Sequence, residues 1–208
     1  MSTDTNAQVA LEQAVENTAP GTGLRVIDGV ALPAAGTYVI DPTHTRVGFV
    51  ARHLMVTKVR GFFREFEGSI TIGENTGDST AQATIQTGTI DTGVADRDGH
   101  LRSGDFLEAE KYPTVTFANA KVTGQKGTTF TVVGDLTIKG VTKQVELEVE
   151  LDGVAKDPFG NEKLAVTAST EIDREDFGMT WNVALETGGV LVSKKIKIEI
   201  EAQAVRQA

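Results

Sequence analysis

Only three histidines occur in the chain, and they are the first place to look for chemistry. His44 follows Asp41-Pro42-Thr43, His53 closes the run Val47-Gly48-Phe49-Val50-Ala51-Arg52, and His100 follows Asp96-Arg97-Asp98-Gly99. Neutral imidazole is a common metal ligand, so a three-histidine site serving a metal-assisted hydrolase is the sharpest chemical hypothesis. The spacing argues against it. His44 and His53 are nine residues apart, an odd offset that points them to opposite faces of a straight strand. A bulge at Gly48 would restore the parity, but no HExxH-type spacing occurs. Hydrogen-bonded histidines at the rim of a β structure are the simpler reading, and neither a metal nor a cofactor is expected. Parity sets His53 on the face of Val47 and Phe49, where it would cap a dry surface.

The other motifs carry less. Asp96-Arg97-Asp98-Gly99 hints at a calcium loop, but placing Gly99 at the sixth position puts Val94 where the first carboxylate is required. A capped turn with an Asp–Arg pair fits better. Gly21-Thr22-Gly23-Leu24-Arg25-Val26 breaks the dinucleotide fingerprint at its third glycine. Neither a GxSxG elbow nor a P-loop is found. Glu171, Asp173, Glu175 and Asp176 read as a solvated strand end. Trp181, the single tryptophan, follows Phe177-Gly178-Met179 in a loop and reads as the plug of a barrel end or a packed corner. No nucleophile, base and oxyanion donor assemble, so no catalyst is indicated.

Composition narrows the class further. With 29 acidic and 20 basic residues the formal charge is -9, unlike a general nucleic-acid binder or a protein that docks on anionic headgroups by charge. The absence of cysteine removes disulfides, thiol nucleophiles and thiolate-held zinc. No run approaches the roughly 20 apolar residues of a membrane span, so no stable membrane insertion is expected. The N-terminal residues lack a basic segment followed by an apolar one, which predicts a cytoplasmic location.

These residues must be positioned by strands. Residues 1–35 read as a separate N-terminal extension, ordered in part, with a short helix over 7–17 and a strand within 24–32. From Gly36 onward the apolar period is two. Phe130, Val132, Leu136 and Ile138 alternate with Thr129, Thr131, Asp135 and Thr137, and Ile196, Ile198 and Ile200 alternate with Lys195, Lys197 and Glu199. Each run therefore has one dry and one wet face, as antiparallel strands over one core do. About eight strands are expected, over 37–53 with a kink, 60–73, 79–91, 113–123, 127–139, 141–152, 163–173 and 189–204. Long strands joined by short Gly-bearing links close naturally into an up-and-down barrel without exposed edges. The insert over 92–112 predicts one or two helical turns, with Phe106 and Leu107 either facing inward as a lid or anchored outside.

An eight-strand barrel either fills itself or holds one small ligand, and periodicity alone leaves both open. If it holds a ligand, the expected lining is Val47, Phe49, Phe62, Phe66, Val115, Phe117, Phe130, Val132, Leu136, Leu147 and Val149. Gly134 interrupts that face. His53, Arg97 and His100 are the candidates for meeting a polar headgroup, with Phe106 and Trp181 at the mouth.

Several segments together resemble the YceI-like, polyisoprenoid-binding family. They are Tyr38-Val39-Ile40-Asp41-Pro42-Thr43-His44-Thr45-Arg46-Val47-Gly48-Phe49, Arg52-His53-Leu54-Met55 and Val59-Arg60-Gly61-Phe62-Phe63, followed by Phe66-Glu67-Gly68. Arg97-Asp98-Gly99-His100-Leu101-Arg102-Ser103, Asp105-Phe106-Leu107, Lys111-Tyr112-Pro113-Thr114-Val115-Thr116-Phe117 and Gly134-Asp135-Leu136-Thr137-Ile138-Lys139-Gly140-Val141-Thr142 continue the series in order. The resemblance covers about residues 36–205. It implies an all-β, elongated, lipocalin-like antiparallel barrel with a long apolar pore. It also implies non-enzymatic binding of a long-chain isoprenoid, isoprenoid quinone or similar amphiphilic lipid. Many members carry a secretory signal, from which residues 1–35 depart. Related folds often pair as homodimers, although no exposed apolar stripe here demands it.

Overall fold

The computed structural model describes residues 24–27, 30–186 and 188–207, so the helix expected over 7–17 lies outside the described residues. Strands β1 (Arg25–Ile27) and β2 (Val30–Leu32) form a small antiparallel hairpin of their own. The main sheet holds β3 (Gly36–Ile40), β4 (Arg46–His53), β5 (Thr57–Phe63), β6 (Phe66–Ile72), β7 (Thr80–Gln86) and β8 (Ile90–Asp91). Helix α1 (Ala95–Arg102) follows, and then β9 (Thr114–Lys126), β10 (Thr129–Ile138), β11 (Val141–Lys156), β12 (Glu162–Asp173) and β13 (Lys195–Arg206).

Pairing runs β12-β11-β10-β9-β7-β6-β3-β13, and β13 returns to β12, which closes an eight-stranded antiparallel barrel. Strand β13 pairs with β3 through residues 204–206 and with β4 through residues 197–201. Strands β3 and β4 are thus one long stave bent at the 3-10 turn Pro42–His44, as the kink over 37–53 predicts. The turn forms because Pro42 fixes φ at its start and the Asp41 side chain accepts from the Thr43 amide at 3.0 Å. Two further staves are interrupted in the same way: β5 and β6 by residues 64–65, and β7 and β8 by the 3-10 turn Thr87–Thr89.

Some boundaries differ from expectation. Strand β5 begins at Thr57, because Val59, Arg60 and Gly61 pair with Val50, Phe49 and their neighbours in a hairpin with β4. The last strand begins at Lys195 rather than 189, since residues 184–192 make only isolated bridges. Strand β11 runs on to Lys156, past a register shift beside Gly153. Among the described residues no helix is long and apolar enough to cross a membrane.

The interior has two buried clusters. One, at the α1 end, gathers Ile90, Leu107, Val115, Leu136, Ile138, Ile172, Phe177 and Met179. The other gathers Leu32, Tyr38, Leu151, Leu164 and Ala204. Tyr38 is fully buried, and its hydroxyl donates to the Glu162 carboxylate at 2.7 Å, with the Ala34 carbonyl 3.0 Å away. Burial, then the Glu162 carboxylate, pushes its phenol well above the usual range. The β1–β2 hairpin belongs to this second end. Leu32 joins the cluster, and Arg25 donates to the carbonyls of Gly73 at 2.7 Å and Glu74 at 2.8 Å.

Candidate functional site: an apolar tunnel in two lobes

The barrel is not filled. A lobe of about 240 Å³ lies at the α1 end and another of about 200 Å³ lies toward the β1–β2 hairpin. Ile40, Ala83, Phe117, Leu147, Ile200 and Ala202 line both, so the lobes meet at a shared waist. Alternation along each strand produces this lining, because every second residue projects inward and nearly all of these are hydrocarbon.

Phe117 holds the waist. A β-carbon at Gly134 would come within 2.5 Å of Phe117 Cζ, so the ring lies flat in the space that the glycine leaves. Phe49 lies on Gly61 of the neighbouring strand in the same manner. The interruption of the inward face at Gly134 is therefore filled by a ring borrowed from β9, not open to the lumen.

Most of the expected lining residues reach the tunnel. Val47, Phe49, Phe66, Phe106, Val115 and Leu136 line the first lobe, Phe130, Val132 and Val149 the second, and Phe117 and Leu147 both. Phe62 does not. In the β4–β5 register Phe63 opposes Val47 while Phe62 opposes Gly48, so Phe63 faces inward and Phe62 turns out. There the guanidinium carbons of Arg46 and Arg64 stand 4.9 and 5.5 Å from its ring centroid.

The expected headgroup residues are placed differently from the sequence expectation. His53 is exposed at the end of β4, bridged to Val192. Arg97 is turned back onto Thr92, donating from Nε to its hydroxyl at 2.7 Å and from Nη2 to its carbonyl at 2.9 Å. No Asp–Arg pair caps this turn. Instead Asp98, buried, accepts the Thr92 amide at 2.8 Å. His100 Nε2 lies 2.8 Å from Asp105 Oδ2 and its ring stands edge-on to Phe106 at 5.1 Å and to Trp181 at 4.6 Å. Trp181 backs Phe106 from outside, centroids 5.4 Å apart, and does not itself line the tunnel. His44 bonds Asp41 at 2.9 Å. The Thr43 hydroxyl, then His44, holds the Asp41 carboxyl far below the usual carboxylate range. His44 and His100 are each paired with their own aspartate while His53 stands apart, and among the described residues no group of three His, Asp or Glu is arranged to hold a metal.

The insert closes one end. Leu101, Phe106 and Leu107 face the first lobe, with Phe106 and Leu107 buried. This is the inward arrangement, not an anchor on the outer wall. Its far side is tied down where Thr87 bonds the carbonyls of Tyr112 and Pro113.

One lining residue escaped the sequence reading. Arg174, 2% exposed, is among the walls of the first lobe. Its Nε donates to the Ser193 carbonyl at 3.0 Å and its Nη1 to the Met179 carbonyl, while Nη2 has no hydrogen-bond partner among the described residues. Burial pulls the guanidinium pKa down. The signal was present in the alternation: Arg174 keeps the parity of Thr170 and Ile172, both of which line the lobe. Four neighbouring carboxylates masked it as a solvated strand end.

This architecture is that of a ligand-holding β-barrel, and comparison with known proteins narrows it. The chain matches the YceI-like domain over residues 38–204, and it belongs to that family. It is 40% identical over 169 residues to UPF0312 protein SA2479 of Staphylococcus aureus (strain N315), covering 80% of this chain and 95% of that protein. The Campylobacter jejuni YceI protein superposes with a TM-score of 0.65 at 30% identity, over 76% of this chain and 90% of that one. A polyisoprenoid binding domain from Saccharophagus degradans shares the fold, with a TM-score of 0.62 at 15% identity over 84% of this chain and 100% of that domain.

Proposed function

We propose that the chain binds one long, linear, apolar or amphiphilic lipid of the polyisoprenoid or isoprenoid-quinone type within the tunnel, as a carrier or store. The carrying observation is the shared waist: two hydrocarbon-lined lobes that meet end to end suit a chain, not a globular ligand. The Saccharophagus degradans neighbour, described as a polyisoprenoid binding domain, supports the same ligand class. The driving force is burial, worth roughly 0.8 kcal/mol per methylene, and a preformed lumen spares the protein the cost of reorganising. Its roles are those of binding and release, with no reaction step assigned to any residue.

Native mass spectrometry of protein purified from cells, before and after incubation with a long-chain isoprenoid alcohol or quinone, tests the reading. A bound mass matching one lipid per chain is expected. Protein that carries no lipid and takes up none would overturn it.

A further inference from the structure

Arg174 is a feature of the tunnel that storage of a hydrocarbon leaves unexplained. Its guanidinium can donate five hydrogen bonds, yet only Nε and Nη1 are engaged, and both go to neutral carbonyls. Among the described residues it makes no ion pair. The nearest carboxylates are committed elsewhere: Glu175 bonds Lys194 at 2.7 Å, and Asp173 accepts the Glu175 amide at 3.0 Å. Both carboxylates favour the charged guanidinium through space, but neither pairs with it directly, and a buried cation without a direct partner is costly. Clamping the Ser193 and Met179 carbonyls needs two donors, and a neutral side chain could supply them. Among the described residues no hydrogen-bonding task falls to Nη2.

The position of Arg174 suggests the task. Among the described residues it is the only basic side chain in the wall of the first lobe, which is otherwise apolar apart from Thr45, Glu67 and Thr170. Phe106 stands beside it, its ring centroid 5.9 Å from Arg174 Cζ. Nη2 is buried while Arg174 belongs to the lobe wall beside Phe106, so a swing of the Phe106 ring is the movement that would expose it to a ligand head.

We propose that Arg174 anchors the ligand's headgroup, and that the preferred ligand is a single apolar chain ending in an anionic oxygen group, a carboxylate or phosphate that accepts from Nη2. The proposal rests on lipid binding in the tunnel and specifies which end of the lipid lies where: the head under Phe106, the tail running through the waist toward the β1–β2 hairpin. An anionic head would give Arg174 the direct ion pair that it lacks among the described residues.

The test compares three probes of equal chain length, oleic acid, oleyl phosphate and oleyl alcohol, against the full chain and against Arg174→Gln. The wild type is expected to bind the acid or the phosphate at least about tenfold more tightly than the alcohol, as a hydrogen bond to a charged group implies. The variant should bind all three with the alcohol's affinity. The two anionic arms separate a carboxylate preference from a phosphate one. Equal affinity for all probes in the wild type, or an anion preference that survives in Arg174→Gln, would overturn the anchor while leaving lipid binding intact. Binding of no probe by the wild type would instead overturn lipid binding itself. If Arg174→Gln does not fold, Arg174→Lys should retain part of the preference. The Arg174 side-chain Nε–H resonance of the wild type should also shift with oleic acid and stay fixed with oleyl alcohol.

Discussion

The ring of Phe117 occupies the space that a side chain at Gly134 would need, and the same ring is part of the waist shared by both lobes. A methyl group added at Gly134 must push the ring toward the lumen. Gly134→Ala is therefore expected to weaken binding of lipids long enough to fill both lobes, while lipids short enough for the first lobe keep their affinity. Overpacking should cost about 1–3 kcal/mol of stability. Melting temperature measured beside affinity over a chain-length series separates the effects, and a uniform loss at every length would count against the waist.

Tyr38 makes stability sensitive to alkali. Its phenol is held neutral by burial beside Glu162, with a folded value above the unfolded one of about 10. The neutral form is the one the fold favours. That contribution is complete below about pH 10 and is lost as pH rises toward the folded value. Tyr38→Phe, which cannot ionise, should flatten the alkaline limb of a stability–pH curve. It should also be less stable near pH 7, because Glu162 Oε1 loses the hydroxyl that donates to it. An unchanged alkaline limb in the variant would show that other groups control it.

Phe106 and the residues around it are expected to gate the tunnel. Residues 95–110 should exchange their amides faster than the long strands in ligand-free protein, and more slowly once lipid is loaded. Phe106→Ala should accelerate ligand exchange more than it lowers the melting temperature. Hydrogen exchange by mass spectrometry and a lipid-transfer assay measure these, and exchange rates indifferent to ligand would make the insert a fixed wall.

Asp98 fastens that insert to the barrel. It is buried and accepts from the backbone and side chain of Thr92. Asp98→Ala leaves a buried donor unsatisfied and should cost about 1–3 kcal/mol. The loss should show as raised amide exchange in α1 ahead of global unfolding. Equal protection of α1 in both proteins would contradict this.

Much of the barrel is legible in the sequence because its physics is local. A period of two, turn glycines and Pro42 specify the staves and the kink without reference to any partner. What is not legible depends on register. Phe62 and Phe63 are adjacent aromatics with equal claims to the interior, and only the pairing of Phe63 with Val47 decides between them. Rim chemistry is harder still. Arg97 and His100 stand near the mouth, but Thr92 and Asp105 claim them, and those contacts depend on how the insert folds back. Arg174 shows the converse: its parity was readable, but acidic neighbours suggested solvent.

Leu32 and Pro33, from the short hairpin outside the barrel, form part of the wall of the second lobe. A tail advancing from the α1 end meets them after crossing the waist. If a lipid binds as proposed, the lumen acts as a ruler. With a fixed stop at one end and a closable mouth at the other, affinity should climb with each added carbon until the tail touches Leu32, and then level off or fall. The hairpin thus ties the longest tail that fits to the sequence of the N-terminal segment, so relatives that differ there would select different lengths with the same barrel.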